Sequence, residues 1–407
     1  MKTIAIIAEF NPLHNGHVRL LQKARKESGA AHVIILMSGD YVQRGEPALF
    51  DKYVRTRMAL EAGADLVLEL PAAVSCGSAR RFAEGAAALL RGLGVVSELW
   101  FGSESGSIEP FLQMAAYLAE EPEDYRLALQ QAQAEGLTFP AAREKALLSL
   151  QVPDSCLALI REPNNILGLE YCLALARSGV QARSGAPLRP RTIARKGDGY
   201  HDASLSDEEL PSSSALRRHL LEGFSLAELR SRIPASLYPV YEEALRDSVP
   251  IRADDFSAML QYQLLKEDRM SLTGYLDVPY DLAGRILQCR PGFTTFSGFC
   301  DAVKTRERTR AQISRALLHI LLGITEEDLQ KALAPSFVRM LGFRRQSQEL
   351  LSSIQKEGQI RLVSKPSALS EESYERDLFA SDLYESVRAG RSGTPFIPEY
   401  SHPVIVL

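Results

Sequence analysis

Ile4-Ala5-Ile6-Ile7-Ala8-Glu9-Phe10-Asn11-Pro12-Leu13-His14-Asn15-Gly16-His17 stands near the start of the chain and decides how the rest is read. An apolar, β-branched run short enough for one buried strand meets Asn-Pro, and two histidines three apart then open a helical pattern. Residues three apart share a helix face, so both imidazoles can aim at one spot. The N-terminus of that helix adds free N–H groups and positive partial charge, a setting that suits a nucleotide phosphate. Gly16 between the histidines removes a side chain where a ligand must approach the backbone. An imidazole there can donate to the charge that develops when an α-phosphate is attacked and pyrophosphate leaves. Taken alone, the string reads equally well as two satisfied histidines beside an ordinary strand–helix turn.

The surrounding hundred residues repeat one unit. Apolar runs at 4–8, 33–37, 66–70 and 99–101 alternate with helical patterns at about 17–28, 52–62 and 79–93. That alternation predicts an α/β fold, a Rossmann-like parallel sheet with helices on both faces and ligands beyond the C-terminal strand ends. The polar, glycine-containing stretches 9–17, 38–47 and 102–106 fall at those ends. Helical patterns follow to about 150 and from Pro163 to near Gly179, then a basic extended stretch at 188–195. Pro211-Ser212-Ser213-Ser214-Ala215-Leu216-Arg217 next opens a helix with serines placed as caps. We divide the chain into a nucleotide-binding catalytic domain (1–225), a helical domain (226–330) and a small C-terminal α/β or α+β domain (331–407).

Composition narrows the class further. With 407 residues, 45% hydrophobic and 24% charged, the chain has ample material for a core. No basic leader pattern precedes the first strand and no apolar run reaches the roughly 18 residues of a membrane span, so a cytoplasmic protein is expected. The five cysteines are scattered without CxxC spacing, which predicts reduced structural thiols. A formal charge of −4 leaves any RNA-binding surface to a local patch.

His14-x-Gly16-His17 together with the serine–arginine string resembles the two signatures of the HxGH nucleotidylyltransferase superfamily. Ala8–His17, Ser38–Pro47, Phe101-Gly102-Ser103-Glu104, Pro163–Gly168 and Gly199-Tyr200-His201-Asp202 resemble, more closely, the bacterial tRNA(Met) cytidine acetate ligases. The resemblance is strong to about residue 225 and looser beyond. It implies activation of acetate by ATP as acetyl-adenylate, then transfer of the acetyl group to N4 of the wobble cytidine of elongator tRNA(Met). It also implies that Ile7, Ala8, Glu9, Phe10, Asn11, Pro12, Leu13, His14, Asn15, Gly16, His17, Val18, Arg19 and Leu20 touch ATP, with Gly102, Asn164 or Asn165, and Arg195 and Lys196. Two departures are visible: Lys196 stands where the family has a hydrophobic residue, and Ser214 replaces its threonine.

The chemistry asks the protein for positioning and charge stabilisation, with no covalent intermediate on the enzyme. His14 and His17 are the catalytic candidates at the α-phosphate. Arg217, with Ser213 and Ser214, is the candidate for the departing pyrophosphate through its fork of donors. Mg²⁺ is expected to accompany ATP; its ligands are unassigned, with Asp40 as readily a turn former as a metal ligand. Glu9 beside a phosphate site needs a metal, a basic partner such as Arg44, or a turned-away side chain. Glu104 fits ribose, a metal-bound water or a helix terminus; Asn164 and Asn165 fit a cap or adenine's edge. For tRNA, Lys304, Arg306, Arg308, Arg310 and Arg315 read as two basic faces of one helical stretch, and Arg183, Arg189, Arg191, Arg195 and Lys196 form a second patch. Tyr41, Tyr200 and His201 are candidates for stacking on a splayed base. Two other readings use the same residues: a small-molecule adenylyltransferase or carboxylate-activating synthetase, and a non-catalytic RNA-binding protein that kept the fold.

Overall fold

The computed structural model describes residues 1–179, 187–195, 212–368 and 371–407. Its centre is an eight-stranded sheet. Five parallel strands, β1 (Thr3–Ala8), β2 (His32–Ser38), β5 (Leu66–Leu70), β6 (Val96–Ser103) and β7 (Arg189–Ala194), lie in the order β5-β2-β1-β6-β7. β3 (Tyr41–Val42) and β4 (Glu46–Pro47) form a separate hairpin directly after β2. Chain order reverses across β1, between its neighbours β2 and β6, so the crevice at their C-terminal ends is where a doubly wound sheet takes its ligand.

The apolar runs are continuous because both sheet faces are covered. Ala5, Ile7, Ile34 and Leu36 pack on one side with Phe82, Leu89 and Leu169, while Ile4, Ile6, Val33 and Ile35 pack on the other with Leu21, Met58 and Leu216. The helices that matter for the site are α1 (Asn15–Ser28), α2 (Lys52–Glu61), α3 (Ala79–Leu93), α4 (Glu109–Ala119), α5 (Glu123–Ala134), α6 (Phe139–Ser149), α7 (Pro163–Ser178), α8 (Ser213–Leu221) and α9 (Arg310–Leu322). α1 ends on Gly29 at φ 66°, the left-handed stop that glycine adopts without strain.

The C-terminal residues differ from expectation. β8 (Phe337–Phe343) joins the main sheet antiparallel to β5, and β9 (Arg361–Val363) and β10 (Ile405–Val406) pair with β8. Residues 331–407 therefore extend the catalytic sheet, because β5 has an open edge that their strands satisfy. Helix α10 (Glu371–Ser392) carries the chain back toward α2. There Lys52 Nζ, fully buried, lies 2.8 Å from Glu69 Oε1 and 3.0 Å from Glu399 Oε1 and donates to Ser381 Oγ at 2.8 Å. All five cysteines are unbridged, and no helix among the described residues is long and apolar enough to cross a membrane.

Candidate active site

The HxGH string is a reciprocal helix cap before it is anything else. His14 is the N-cap of α1, and its Nδ1 accepts from the Gly16 N–H at 3.0 Å; His17 Nδ1 accepts from the His14 N–H at 3.3 Å. With both Nδ1 atoms accepting, each ring carries its proton on Nε2, a tautomer assigned from these bonds. The rings stack, centroids 3.9 Å apart at 29°, and Phe10 meets His17 edge-on at 5.2 Å. Phe10 takes φ 47°, a backbone conformation uncommon for a non-glycine residue, where the chain turns out of β1. Burial, with the neighbouring Arg195, pushes His17 down to about 3; burial, then His17 and Arg195, holds His14 well below the ordinary histidine range. The pair is thus two neutral Nε2–H donors. His14 Nε2 is buried with no partner among the described residues, and His17 lines a cavity of about 210 Å³.

Gly16 is packed against the neighbouring imidazole. A Cβ there would stand 2.8 Å from His14 Cε1, so the glycine makes room for the His14 ring. Gly102 likewise faces a side chain, since a Cβ would meet Arg195 Cγ at 3.2 Å.

The cavity lies at the switch point and gathers three guanidinium groups. Arg217, one turn into α8, donates to the Asn11 carbonyl at 2.7 Å and to Ser214 Oγ at 3.2 Å. Arg44 enters from the β3–β4 hairpin, and Arg195 from the end of β7, where its N–H donates to the Ser103 carbonyl at 2.9 Å. Burial and then the facing Arg217 lower the Arg44 pKa, with Glu46 and Glu9 opposing; burial lowers Arg195, with Glu104 opposing. Like charges held this close answer to a polyanion. Glu9 faces the cavity, and one of its oxygens accepts from the Gln43 N–H at 2.9 Å, on the same hairpin that brings Arg44. Ser212 is the N-cap of α8, its Oγ accepting from Ala215 N–H at 3.2 Å, and Ser212, Ser213 and Ser214 all line the cavity.

Other expected residues divide. Ile7, Ala8, Glu9, Phe10, Asn11, Leu20, Gly102, Asn164 and Arg195 line the cavity; Pro12, Leu13, Asn15, Gly16, Val18, Arg19 and Asn165 do not. Leu13 is buried, and its carbonyl accepts from the Tyr241 hydroxyl. Asn15 donates to the Ser231 carbonyl at 2.8 Å, and Asn11 Oδ1 accepts from Leu49 N–H at 2.8 Å. Asn165 Oδ1 accepts from the Glu104 and Ser105 N–H groups at 3.0 and 3.1 Å, bracing the loop after β6. Asn164 donates to Glu104 Oε1 at 2.6 Å at the cavity edge, so Glu104 is committed to the helix start of α7. Asp40 accepts from Lys52 N–H at 2.8 Å, buried and turned toward α2. Lys196, with Tyr200, His201 and Arg183, lies outside the described residues.

The basic stretch 304–315 is not one helix face. Lys304 is the C-cap of the preceding helix, residues 305–309 are irregular, and α9 starts at Arg310. Arg308 pairs with Asp281 at 2.6 Å and Arg310 with Asp301 at 2.9 Å, while Lys304 and Arg306 are exposed. The one-turn spacing of Lys304 with Arg308 and of Arg306 with Arg310 reads as one helix; Thr309, an N-cap with Gln312 closing its capping box, starts a new one instead.

Sequence reasoning missed Arg44 as a site residue and missed Arg55. Arg55 is fully buried and donates to the Glu9, Ser38 and Phe50 carbonyls at 2.8, 3.0 and 2.9 Å and to Gly39, locking the ends of β1 and β2 together. An arginine in a helix that otherwise packs against the sheet was the available signal.

Residues 1–394 match the HIGH Nucleotidyl Transferase family. The tRNA(Met) cytidine acetate ligase of Alkaliphilus metalliredigens is 36% identical over 94% of each chain, and that of Thermoanaerobacter sp. strain X514 is 34% identical over 100% of each. Thermotoga maritima TmcAL in its apo form superposes with a TM-score of 0.90 at 27% identity, and the same protein bound with alpha-thio ATP with 0.89 at 26%, each over 100% of both chains.

Proposed function

The chain belongs to the tRNA(Met) cytidine acetate ligases of the HIGH nucleotidyl transferase family, and from that premise we propose that it activates acetate with ATP and acetylates N4 of the wobble cytidine of elongator tRNA(Met) in the cytoplasm. The observation that carries the reading is the pair of neutral, stacked Nε2–H imidazoles at a helix N-terminus beside a cavity holding Arg44, Arg195 and Arg217.

An acetate oxygen attacks the α-phosphorus of ATP, the bond to the bridging oxygen breaks, and pyrophosphate leaves. His14 and His17 donate to the α-phosphate and bridging oxygens as charge builds there. Neutral imidazoles do this without first giving up a proton, and their stacking fixes their aim. Arg217 and Arg44, with Ser213 and Ser214, take the charge that accumulates on pyrophosphate. The cytidine N4 lone pair then attacks the acetyl carbonyl carbon, a C–N bond forms, the bond to the AMP oxygen breaks, and N4 releases one proton. Mg²⁺ bound to the phosphates would neutralise part of their charge, and Glu9 and Glu46 are the cavity carboxylates in position to hold its hydration shell. Lys304, Arg306, Arg308 and Arg310 supply the sequence-independent phosphate contacts of the tRNA, while Arg315, expected with them, lines the neighbouring cavity.

Two measurements on the purified protein test this. Acetate should be required for pyrophosphate–ATP exchange, and mass spectrometry of tRNA incubated with ¹³C-acetate and ATP should place one labelled acetyl group on the wobble cytidine. Exchange that proceeds without acetate, or label on no cytidine, defeats the proposal.

A further inference from the structure

A second, larger cavity of about 640 Å³ lies beside the one that gathers Arg44, Arg195 and Arg217, and none of His14, His17 and Arg217 lines it. α3, α5, α6, α7 and the first turn of α9 wall it, and Gln43 lines both cavities. The β3–β4 hairpin runs along the boundary of the two and is seated on α9: the Ser314 hydroxyl donates to the Gly45 carbonyl at 2.8 Å, and a Cβ on Gly45 would stand 2.4 Å from Arg315 N.

The walls offer donors that protein does not use. Gln43 Nε2, Arg143 Nε and Arg315 Nε are buried and without a hydrogen-bond partner among the described residues. Arg143, only 6% exposed, is held from its other side by Glu170 at 2.7 Å. A buried donor left unmade costs about 1–3 kcal/mol, so three around one void mark a place built for a ligand rich in acceptors. Phe139 adds an aromatic ring 45% exposed at the cavity wall. The volume falls within the roughly 300–1,000 Å³ of small-molecule sites and far exceeds the needs of acetate.

We propose that this cavity seats the target cytidine, swung out of the anticodon loop, with its ring on Phe139, its O2 and N3 acceptors toward Arg143 and Arg315, and its N4 toward Gln43 and the acetyl-adenylate beyond. The assignment rests on the acetyl-transfer reading above and adds the nucleobase site to it. Cytosine answers two of the three donors, because O2 and N3 are acceptors on one edge; its exocyclic amine, a donor, lies beside them where the oxygen of the Gln43 amide can accept. Enzymes that modify a base take it out of the stack into such a pocket and read its pairing edge. The basic loop 304–309 stands where the flanking phosphates would pass: Thr309 lines the cavity, and a Cβ on Gly136, between α5 and α6, would lie 3.8 Å from Glu307 Oε1.

The experiment compares Phe139→Ala and Arg315→Gln with wild type in three assays. Acetate-dependent pyrophosphate–ATP exchange reports the adenylate site. Acetyl transfer to tRNA reports the whole reaction. An anticodon stem-loop carrying pyrrolocytosine at the wobble position reports seating of the base by its fluorescence, without turnover. Both variants should keep exchange within about threefold of wild type and lose at least about tenfold in kcat/KM for tRNA, the loss expected of one stacked base. The fluorescence change seen on wild type should vanish with Phe139→Ala. Unaltered acetylation and fluorescence in both variants would overturn the proposal, as would exchange collapsing together with acetylation. If wild type acetylates no tRNA the reading beneath it fails, and the stem-loop fluorescence still decides whether the cavity takes the base.

Discussion

His14 and His17 cap a helix by the same arrangement that, in the mechanism proposed above, makes them donors to the phosphate. Each Nδ1 is used up by a backbone N–H, which leaves Nε2–H for the substrate. Replacing His17 by Ala should lower turnover at least about a hundredfold with much less change in ATP affinity, as loss of one charge-stabilising donor does; steady-state exchange kinetics measure the split. The low pKa has a direction. In the unfolded chain His17 titrates near 6.5, and in the folded protein near 3, so between those values the unfolded state binds more protons. The contribution of His17 to stability, read as the difference between wild type and His17→Gln, should be flat above about pH 6.5 and fall as pH drops toward 3, and exchange should show no histidine titration near 6.5. Nitrogen chemical shifts of ¹⁵N-histidine protein at pH 6 should report both rings neutral and protonated on Nε2. Arg217 and Arg44 make a second test. Inorganic pyrophosphate should raise the melting temperature of wild type, and Arg217→Lys and Arg44→Gln should each lose most of that rise, because a bidentate fork is gone from a site of like charges. The histidines, the serines and Arg217 were legible in the sequence because their spacing is fixed by chain-local geometry. Arg44 was noticed only as a partner for Glu9, since its position opposite Arg217 depends on how a hairpin folds back, which no local spacing encodes.

Among the elements, the β3–β4 hairpin has the most influence for its size. Two strands of two residues hold Gln43 and Arg44 between cavities and rest on α9 through Gly45, at φ 76°. Gly45→Ala should cost about 1–3 kcal/mol through overpacking and strain, and should lower exchange more than tenfold although residue 45 touches no substrate; thermal denaturation and exchange read the two effects. The strands β1, β2, β5 and β6 were evident as apolar runs with helices between them. β8 was not. Its sequence, Phe337-Val-Arg-Met-Leu-Gly-Phe, is broken by Arg339, which is 2% exposed and donates to the Ser364 carbonyl, and its partner β5 lies far back in the chain. The basic stretch at 304–315 failed as a helix for the opposite reason: a good local cap at Thr309 divides a run whose charges alone look periodic.

At the scale of the whole molecule, the C-terminal residues close the sheet that the N-terminal residues begin. Lys52, Glu69 and Glu399 join the N-terminal and C-terminal parts of the chain in one buried ion cluster. Lys52→Met should strand two buried carboxylates and cost about 3–5 kcal/mol, read by denaturant unfolding. Circular dichroism and exchange activity should be lost in one shared transition, with no separate step for residues 331–407. A ribosome, however, delivers these pieces in order. Leu66-Val67-Leu68-Glu69-Leu70 leaves the exit tunnel with one side unpaired and waits roughly tens of seconds for Phe337–Phe343. Through that interval the nascent protein displays an apolar strand edge to its neighbours on the polysome, so a chain stopped at residue 330 should aggregate where the full chain does not, and synthesis should lean on chaperones that shield such edges.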